Sequence, residues 1–192
     1  MYLFFDTETN GLPKNWKAKP QEVDNWPRII QLAFTVVDVN FNEVYSYSEL
    51  IKPDGWTIPN EKFWIENGYS TESNILNGVM MFEALHALKN AINTCTHVFA
   101  HNMDFDYNII AAEMIRYGVR ADHSPKRVCT MKSTTDFVGA KNARGGQKWP
   151  KLEELHEKLF GVKFDNAHDA LADVSATVRC ARELFRIGLL PM

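Results

Sequence analysis

Tyr2-Leu3-Phe4-Phe5-Asp6-Thr7-Glu8-Thr9-Asn10-Gly11 opens the chain: an apolar run that ends in two carboxylates and a turn signal. The run reads as a strand over Tyr2–Thr9. A strand alternates its faces, so Asp6 and Glu8 point the same way. Folding alone gives no reason for two like charges on one face at the end of a core strand. A divalent cation does. By itself Asp-x-Glu is a chance pattern, and its meaning depends on whether later segments supply partners.

Working outward, Ile29 to Val39 is rich in Ile, Val, Leu, Phe and Thr and reads as a second strand. Asn40-Phe41-Asn42 is a turn, and Glu43 to Ile51 a third strand, giving a hairpin closed by Pro53-Asp54-Gly55. Residues 11–27, with three prolines and two tryptophans, read as a long loop. Residues 60–78 hold short helices. Phe82 to Ile92 is amphipathic, with Phe82, Leu85, Leu88 and Ile92 near one face. His97-Val98-Phe99-Ala100 is a short buried strand, followed by a helix from about Asp104 to Tyr117 with Gly118 at its end. Residues 126–130 read as a fifth strand, Asp136 to Pro150 as a Gly- and Lys-rich loop, and Leu152 to Phe160 as a helix closed by Gly161. The last helix begins near Asp169 with the stripe Leu171, Val174, Val178, Ala181 and Phe185. Three meandering strands followed by alternating helices and strands predict an α/β fold: one mixed sheet with helices on both faces.

The bulk properties set bounds. A chain of 192 residues is expected to form one domain, 1–192, with a core that needs no staples. A net charge of −3 argues that any contact with nucleic acid comes from a local basic patch. Cys95, Cys129 and Cys180 are odd in number and widely spaced, which speaks against a disulfide framework or a zinc site. The first apolar run stops at Asp6, too short for a signal peptide, and no stretch approaches the roughly 18 apolar residues of a membrane span. A cytoplasmic protein with no membrane partner is the expectation.

Carboxylates recur at two other places. His101-Asn102-Met103-Asp104-Phe105-Asp106 follows the buried strand and opens a helix, beyond the carboxyl end of a strand where ligands bind in α/β sheets. His168-Asp169-Ala170-Leu171-Ala172-Asp173 opens the last helix. There Asp173 borders the apolar stripe beside small residues, and His168 sits on the loop before it. Taken singly, these acids read as helix caps or solvated positions. Taken together, Asp6, Glu8, Asp106 and Asp173 in one cleft would raise one another's pKa values unless cations neutralise them. All-oxygen ligands select Mg²⁺ or Mn²⁺. Two such ions ~4 Å apart form a clamp for in-line attack on a phosphodiester. A histidine suits removal of the proton from the attacking water.

The ordered set Asp6-x-Glu8, His101-Asn102-x-x-Phe105-Asp106 and His168-x-Ala170-x-x-Asp173 resembles the DnaQ-like exonucleases of the DEDDh type. The resemblance implies an RNase H-like fold with a five-stranded mixed sheet and a 3′→5′ exonuclease releasing nucleoside 5′-monophosphates. It implies that Asp6 bridges two ions, that Glu8 and Asp173 hold the ion carrying the nucleophile, that Asp106 holds the second, and that His168 is the general base. It also implies substrate contacts from Thr7, Thr9, Gly11 and Leu12, with Asn102 and Phe105 shaping the site. Leu12 has two readings, a wedge between the last two bases or a loop residue tucked into the core. Asn67 stands where the family has a histidine, which bears on the fit of the 3′ nucleotide.

The basic residues form two groups, each with tryptophan. One holds Lys14, Lys17, Lys19 and Arg28 with Trp16 and Trp26; the other holds Lys141, Arg144, Lys148 and Lys151 with Trp149. A basic lining with aromatic side chains grips single strands without sequence preference. Solvated lysines and core tryptophans are the competing reading. The expected partner is a single-stranded nucleic acid 3′ end, DNA or frayed duplex first. RNA 3′-end trimming and a weakly catalytic module that binds nucleic acid or a DNA polymerase are the alternatives. The chain stops at Met192 soon after the last helix, which favours a stand-alone nuclease.

Overall fold

The computed structural model describes residues 1–165, 167 and 169–190. Strands β1 (Tyr2–Thr9), β2 (Ile29–Val37), β3 (Glu43–Leu50), β4 (His97–Ala100) and β5 (Lys126–Cys129) form a five-stranded sheet in the order β3-β2-β1-β4-β5. The meander pairs antiparallel, β2 with both β1 and β3, whereas β4 runs parallel to β1 and β5 parallel to β4. The helices are α1 (Lys62–Glu66), α2 (Thr71–Asn77), α3 (Met81–Thr94), α4 (Met103–Arg116), α5 (Thr130–Ser133), α6 (Thr135–Val138), α7 (Leu152–Phe160) and α8 (Ala170–Arg186). The mixed sheet with helices on both faces is the architecture that the alternation of elements predicts.

Central strand β1 decides how the layers close. Its odd residues Leu3 and Phe5 join a core with Leu85 and Leu88 of α3 and Ile109 and Ile110 of α4. Its even residue Phe4 joins Ala33, Phe99, Leu155 of α7 and Val174, Ala181 and Leu184 of α8. β2 is buried at every position, Gln31 and Thr35 included, so it reads as a near-continuous apolar run instead of an alternating one.

Two helix faces differ from the sequence expectation. The buried line of α8 is Ala170, Val174, Thr177, Ala181 and Leu184, while Phe185 is 46% exposed. Close approach to the sheet is set by side-chain volume: small residues at Ala170 and Ala181 let α8 settle, and the larger Leu171, Val178 and Phe185 fall beside the contact line. On α3, Met81, Leu85 and Leu88 face the core, whereas Phe82 turns outward and packs on the His86 ring at 4.3 Å. The expected loop from Asp136 begins later. α5 and α6 carry the chain to Gly139, whose φ of +66° ends α6 in the left-handed region that glycine tolerates.

One buried ion-pair network ties the loop layer to α4. Glu113 is fully buried; it accepts from Arg28 Nε at 2.8 Å and lies 3.1 Å from Arg116 Nη1. Arg116 also donates to the carbonyls of Val23 and Trp26, so it anchors the 11–27 loop. Arg28, one of the basic group with two readings, takes the structural one: it stacks over Trp56 at 5.1 Å and donates to Tyr117 Oη at 3.0 Å. Trp26 is likewise a core residue. Removing one member of a buried pair strands the other charges, which costs about 3–5 kcal/mol. Glu113→Ala is therefore expected to lower unfolding free energy by about that amount in urea titrations, whereas Lys62→Ala, which breaks an exposed α1 pair with Glu66, changes it by less than about 1 kcal/mol.

Candidate metal centre and active site

Alternation along β1 sends Asp6 and Glu8 to the side of Asp173 on α8 and Thr7 to Asp106 of α4. Register pairs Asp6 with Ala33 and Glu8 with Gln31 on β2, with a shift at Glu8/Thr9 that ends regular pairing. α8 is capped by Asp169, whose side chain accepts from Ala172 N at 3.0 Å, and Asp173 lies in its first turn. One oxygen each from Asp6, Glu8 and Asp173 lies within 4.8 Å of the others. Asp106, in the first turn of α4, comes from the opposite face of the sheet. It is buried and lies outside that trio; its Oδ1 accepts from Thr7 N at 3.1 Å and Thr7 Oγ1 at 2.8 Å. His168 lies outside the described residues.

Burial and mutual repulsion set the electrostatics. Burial first, then the charges of Asp106, Asp173 and Glu8, hold the Asp6 carboxyl well above its usual range. Burial, then Asp173 and Asp106, push Glu8 up to about 8. Burial raises Asp106 to about 7 against the opposing pull of both Thr7 hydrogen bonds. None of the ion pairs among the described residues reaches Asp6, Glu8 or Asp106. A cluster whose converging atoms are carboxylate oxygens could hold a hard divalent cation such as Mg²⁺ or Mn²⁺.

Gln31 is the residue that motif reading misses. Its Oε1 accepts from Tyr69 Oη at 2.5 Å and Ala170 N at 3.1 Å, and its Nε2 donates to Asp169 Oδ2 at 3.1 Å. It thereby fixes the first turn of α8, and with it Asp173, against β2. A polar residue inside an otherwise apolar strand was the available signal, since a buried amide must find partners.

The other expected contacts are placed as follows. Thr9 Oγ1 donates to Gly11 O at 2.8 Å, and Thr9 O accepts from Trp64 Nε1 at 3.0 Å. Leu12 is 70% exposed, so the reading that tucks it into the core does not hold. Asn102 precedes α4 in the left-handed region at φ 76°, and half-buried Phe105 lies in that helix's first turn. Asn67 closes α1 and donates to Phe63 O at 2.7 Å. Lys148 pairs with Glu154 at 2.7 Å, whereas Lys14, Lys17, Lys19, Lys141, Arg144 and Lys151 are exposed. Among the described residues, no helix is long and apolar enough to cross a membrane.

A mixed five-stranded sheet with acids gathered where its central strand ends defines the RNase H-like class of nuclease folds. The family model RNase_T, described as Exonuclease, matches residues 3–181. The chain belongs to this DnaQ-like exonuclease family. Escherichia coli Exonuclease I in complex with a dA16 oligonucleotide superposes with a TM-score of 0.75 at 22% identity, over 96% of this chain and 40% of that one. The same enzyme with a dT13 oligonucleotide gives 0.76 at 21% identity, over 97% and 42%. A moderately thermophilic Exonuclease I from Methylocaldum szegediense gives 0.73 at 21%, over 96% and 40%. The chain thus spans well under half the length of these solved proteins. Comparison with curated proteins gives no match.

The raised carboxyls make a signed prediction for the metal-free protein. Glu8 moves from 4.5 to about 8 on folding, so the folded state binds the extra proton. Stability contributed by this group is then greatest at acid pH and falls as pH rises through that window, levelling off above it. Thermal melts in EDTA should decline between those values, Glu8→Gln should flatten the decline, and Mn²⁺ should reverse it at pH 8. A melting temperature that rises over the same window in EDTA would contradict the crowding of these acids.

Proposed function

We propose that the chain is a metal-dependent 3′→5′ exonuclease that releases nucleoside 5′-monophosphates from single-stranded DNA or frayed duplex ends. The observation that carries the reading is the trio of carboxylate oxygens within 4.8 Å at the end of β1, in a chain of the exonuclease family. The single domain 1–192 would hold the whole catalytic set. DNA is favoured over RNA by the oligonucleotides in the similar Exonuclease I structures, dA16 and dT13.

In this reading Asp6, Glu8 and Asp173 would hold one Mg²⁺ or Mn²⁺, and Asp106 with Asp6 would hold the second. When bound, the pair of ions supplies charge stabilisation at the attacked phosphodiester and a more acidic attacking water. His168 takes the proton from that water on a ring nitrogen. The stretch Thr9 to Leu12 seats the 3′ end, with exposed Leu12 available to lie against the terminal bases. Thr7 acts through Asp106, which it orients with two hydrogen bonds. The exposed lysines of the 11–27 and 139–151 segments attract the phosphate backbone, a contribution that salt weakens.

Degradation of 5′-labelled single-stranded DNA, duplex DNA and RNA with Mg²⁺, side by side, tests direction and substrate class together. A ladder shortening from the 3′ end, fastest on single-stranded DNA, is expected. EDTA should abolish it, and Asp6→Ala should slow it by orders of magnitude while circular dichroism shows an intact fold. Full activity of Asp6→Ala would sink the assignment.

A further inference from the structure

Two tryptophans far apart in sequence line one cleft. Trp16 comes from the 11–27 loop and Trp149 from the loop before α7, and they are 58% and 63% exposed. Both line a cleft of about 380 Å³ with Asn102, Phe105, Asp104 and Lys132. The Trp16 and Phe105 rings are 5.7 Å apart and tilted by 32°. Phe105 directly precedes Asp106 in the first turn of α4. Large apolar rings on a surface are costly to leave in water, and two converging on one cleft point to a ligand with a flat apolar face.

Both rings are displayed on ordered backbone. The 11–27 loop is closed at its neck by Asn15 N donating to Asn25 Oδ1 at 2.7 Å and Asn25 Nδ2 donating to Asn15 O at 3.0 Å. It is anchored below by Trp26 Nε1 donating to Lys19 O at 3.1 Å and by Arg116. Trp149 precedes Pro150, whose carbonyl lies 3.0 Å from His101 Nε2. Burial lowers the His101 pKa to about 4, so its ring is neutral, and a carbonyl can only accept. The proton therefore sits on Nε2, and Nδ1 accepts from Thr130 Oγ1 at 3.0 Å. His101 is in this way a positioning residue that fastens the Trp149 loop to the end of β4.

We propose that Trp16 and Trp149 form a base-stacking subsite that receives an unpaired nucleobase of the strand whose end lies at the carboxylates. The subsite rests on the single-strand reading above and adds a selection rule to it. A base enters only with both faces unstacked, so a paired end must fray first. Stacking reads no base edge, so the subsite tolerates any sequence. Exposed Lys14, Lys17, Lys141 and Arg144 flank the two loops and suit the accompanying phosphates.

The test is the dissociation constant of a 5′-fluorescein-labelled oligothymidylate, by anisotropy, with Ca²⁺ in place of Mg²⁺. Trp16→Ala and Trp149→Ala should each weaken binding roughly 5- to 100-fold. Trp16→Phe should retain most of the affinity, because a ring remains. An abasic strand of the same length separates stacking from phosphate contact: the wild type and both alanine variants should bind it alike. Unchanged affinity for oligothymidylate, or an equal loss on the abasic strand, overturns the subsite. Mononucleotide release is assayed separately. Binding that depends on the tryptophans without any hydrolysis supports the subsite and overturns the exonuclease reading. Hydrolysis with binding indifferent to both tryptophans does the reverse.

Discussion

Repulsion among carboxylates at the end of β1 is the constraint around which the molecule is arranged. Unit charges about 4 Å apart in a medium of effective dielectric near 20 oppose one another by about 4 kcal/mol. Asp6, Glu8 and Asp173 are held where their ionised forms would meet that repulsion, and burial together with it is why Asp6 and Glu8 keep their protons to higher pH. A loose scaffold would let them part. Here each sits on a regular element, two on a strand paired on its β2 side and one in the first turn of a 17-residue helix. The elements are locked by packing that has nothing to do with the charges: Phe4 and Ala33 below, Val174 and Ala181 above. Hydrophobic burial supplies the force that keeps these acids close, in an arrangement that could hold a divalent cation.

Polar bonds then fix the angle at which the pieces meet. Gln31 is a strand residue serving a helix: it orients Asp169 and Ala170, and so sets the turn that bears Asp173. Thr7 does the corresponding work on the other face by gripping Asp106. Arg28 and Arg116 around Glu113 hold the start of β2 and the long loop against α4. All three devices join segments distant in sequence at the point where β1 ends. The alternation of a single strand therefore distributes the site: even residues present acids, and an odd residue recruits one more from behind.

How much of this was legible follows from which interactions are local. The bounds of β1 and α7 read directly, because a strand ending in charges and a helix closed by Gly161 carry their own punctuation. The convergence of Asp6, Glu8 and Asp173 was legible through motif order. The contact line of α8 was not, because hydropathy ranks Leu171 and Phe185 above Ala170 and Thr177, while packing against a sheet favours the smaller pair. Arg28 was left with two readings for a different reason. Its partner Glu113 lies 85 positions away, and no local pattern distinguishes a cation destined for a buried carboxylate from one facing solvent. The cleft that Trp16 and Trp149 both line was hidden in the same way, by loops that only the fold brings together.

The acids are not equivalent, and the difference has a chemical meaning. Asp106 Oδ1 accepts two hydrogen bonds from Thr7, which occupies both lone pairs that a carboxylate oxygen offers in its plane. Only Oδ2 is left to approach a cation, so Asp106 can serve as a one-oxygen ligand. The trio across the sheet contributes an oxygen from each of three side chains to a common point. The parts are therefore unequal: Asp6, Glu8 and Asp173 could surround a divalent cation with three carboxylate oxygens, whereas Asp106, gripped by Thr7 from the other face of the sheet, has one carboxylate oxygen left to offer.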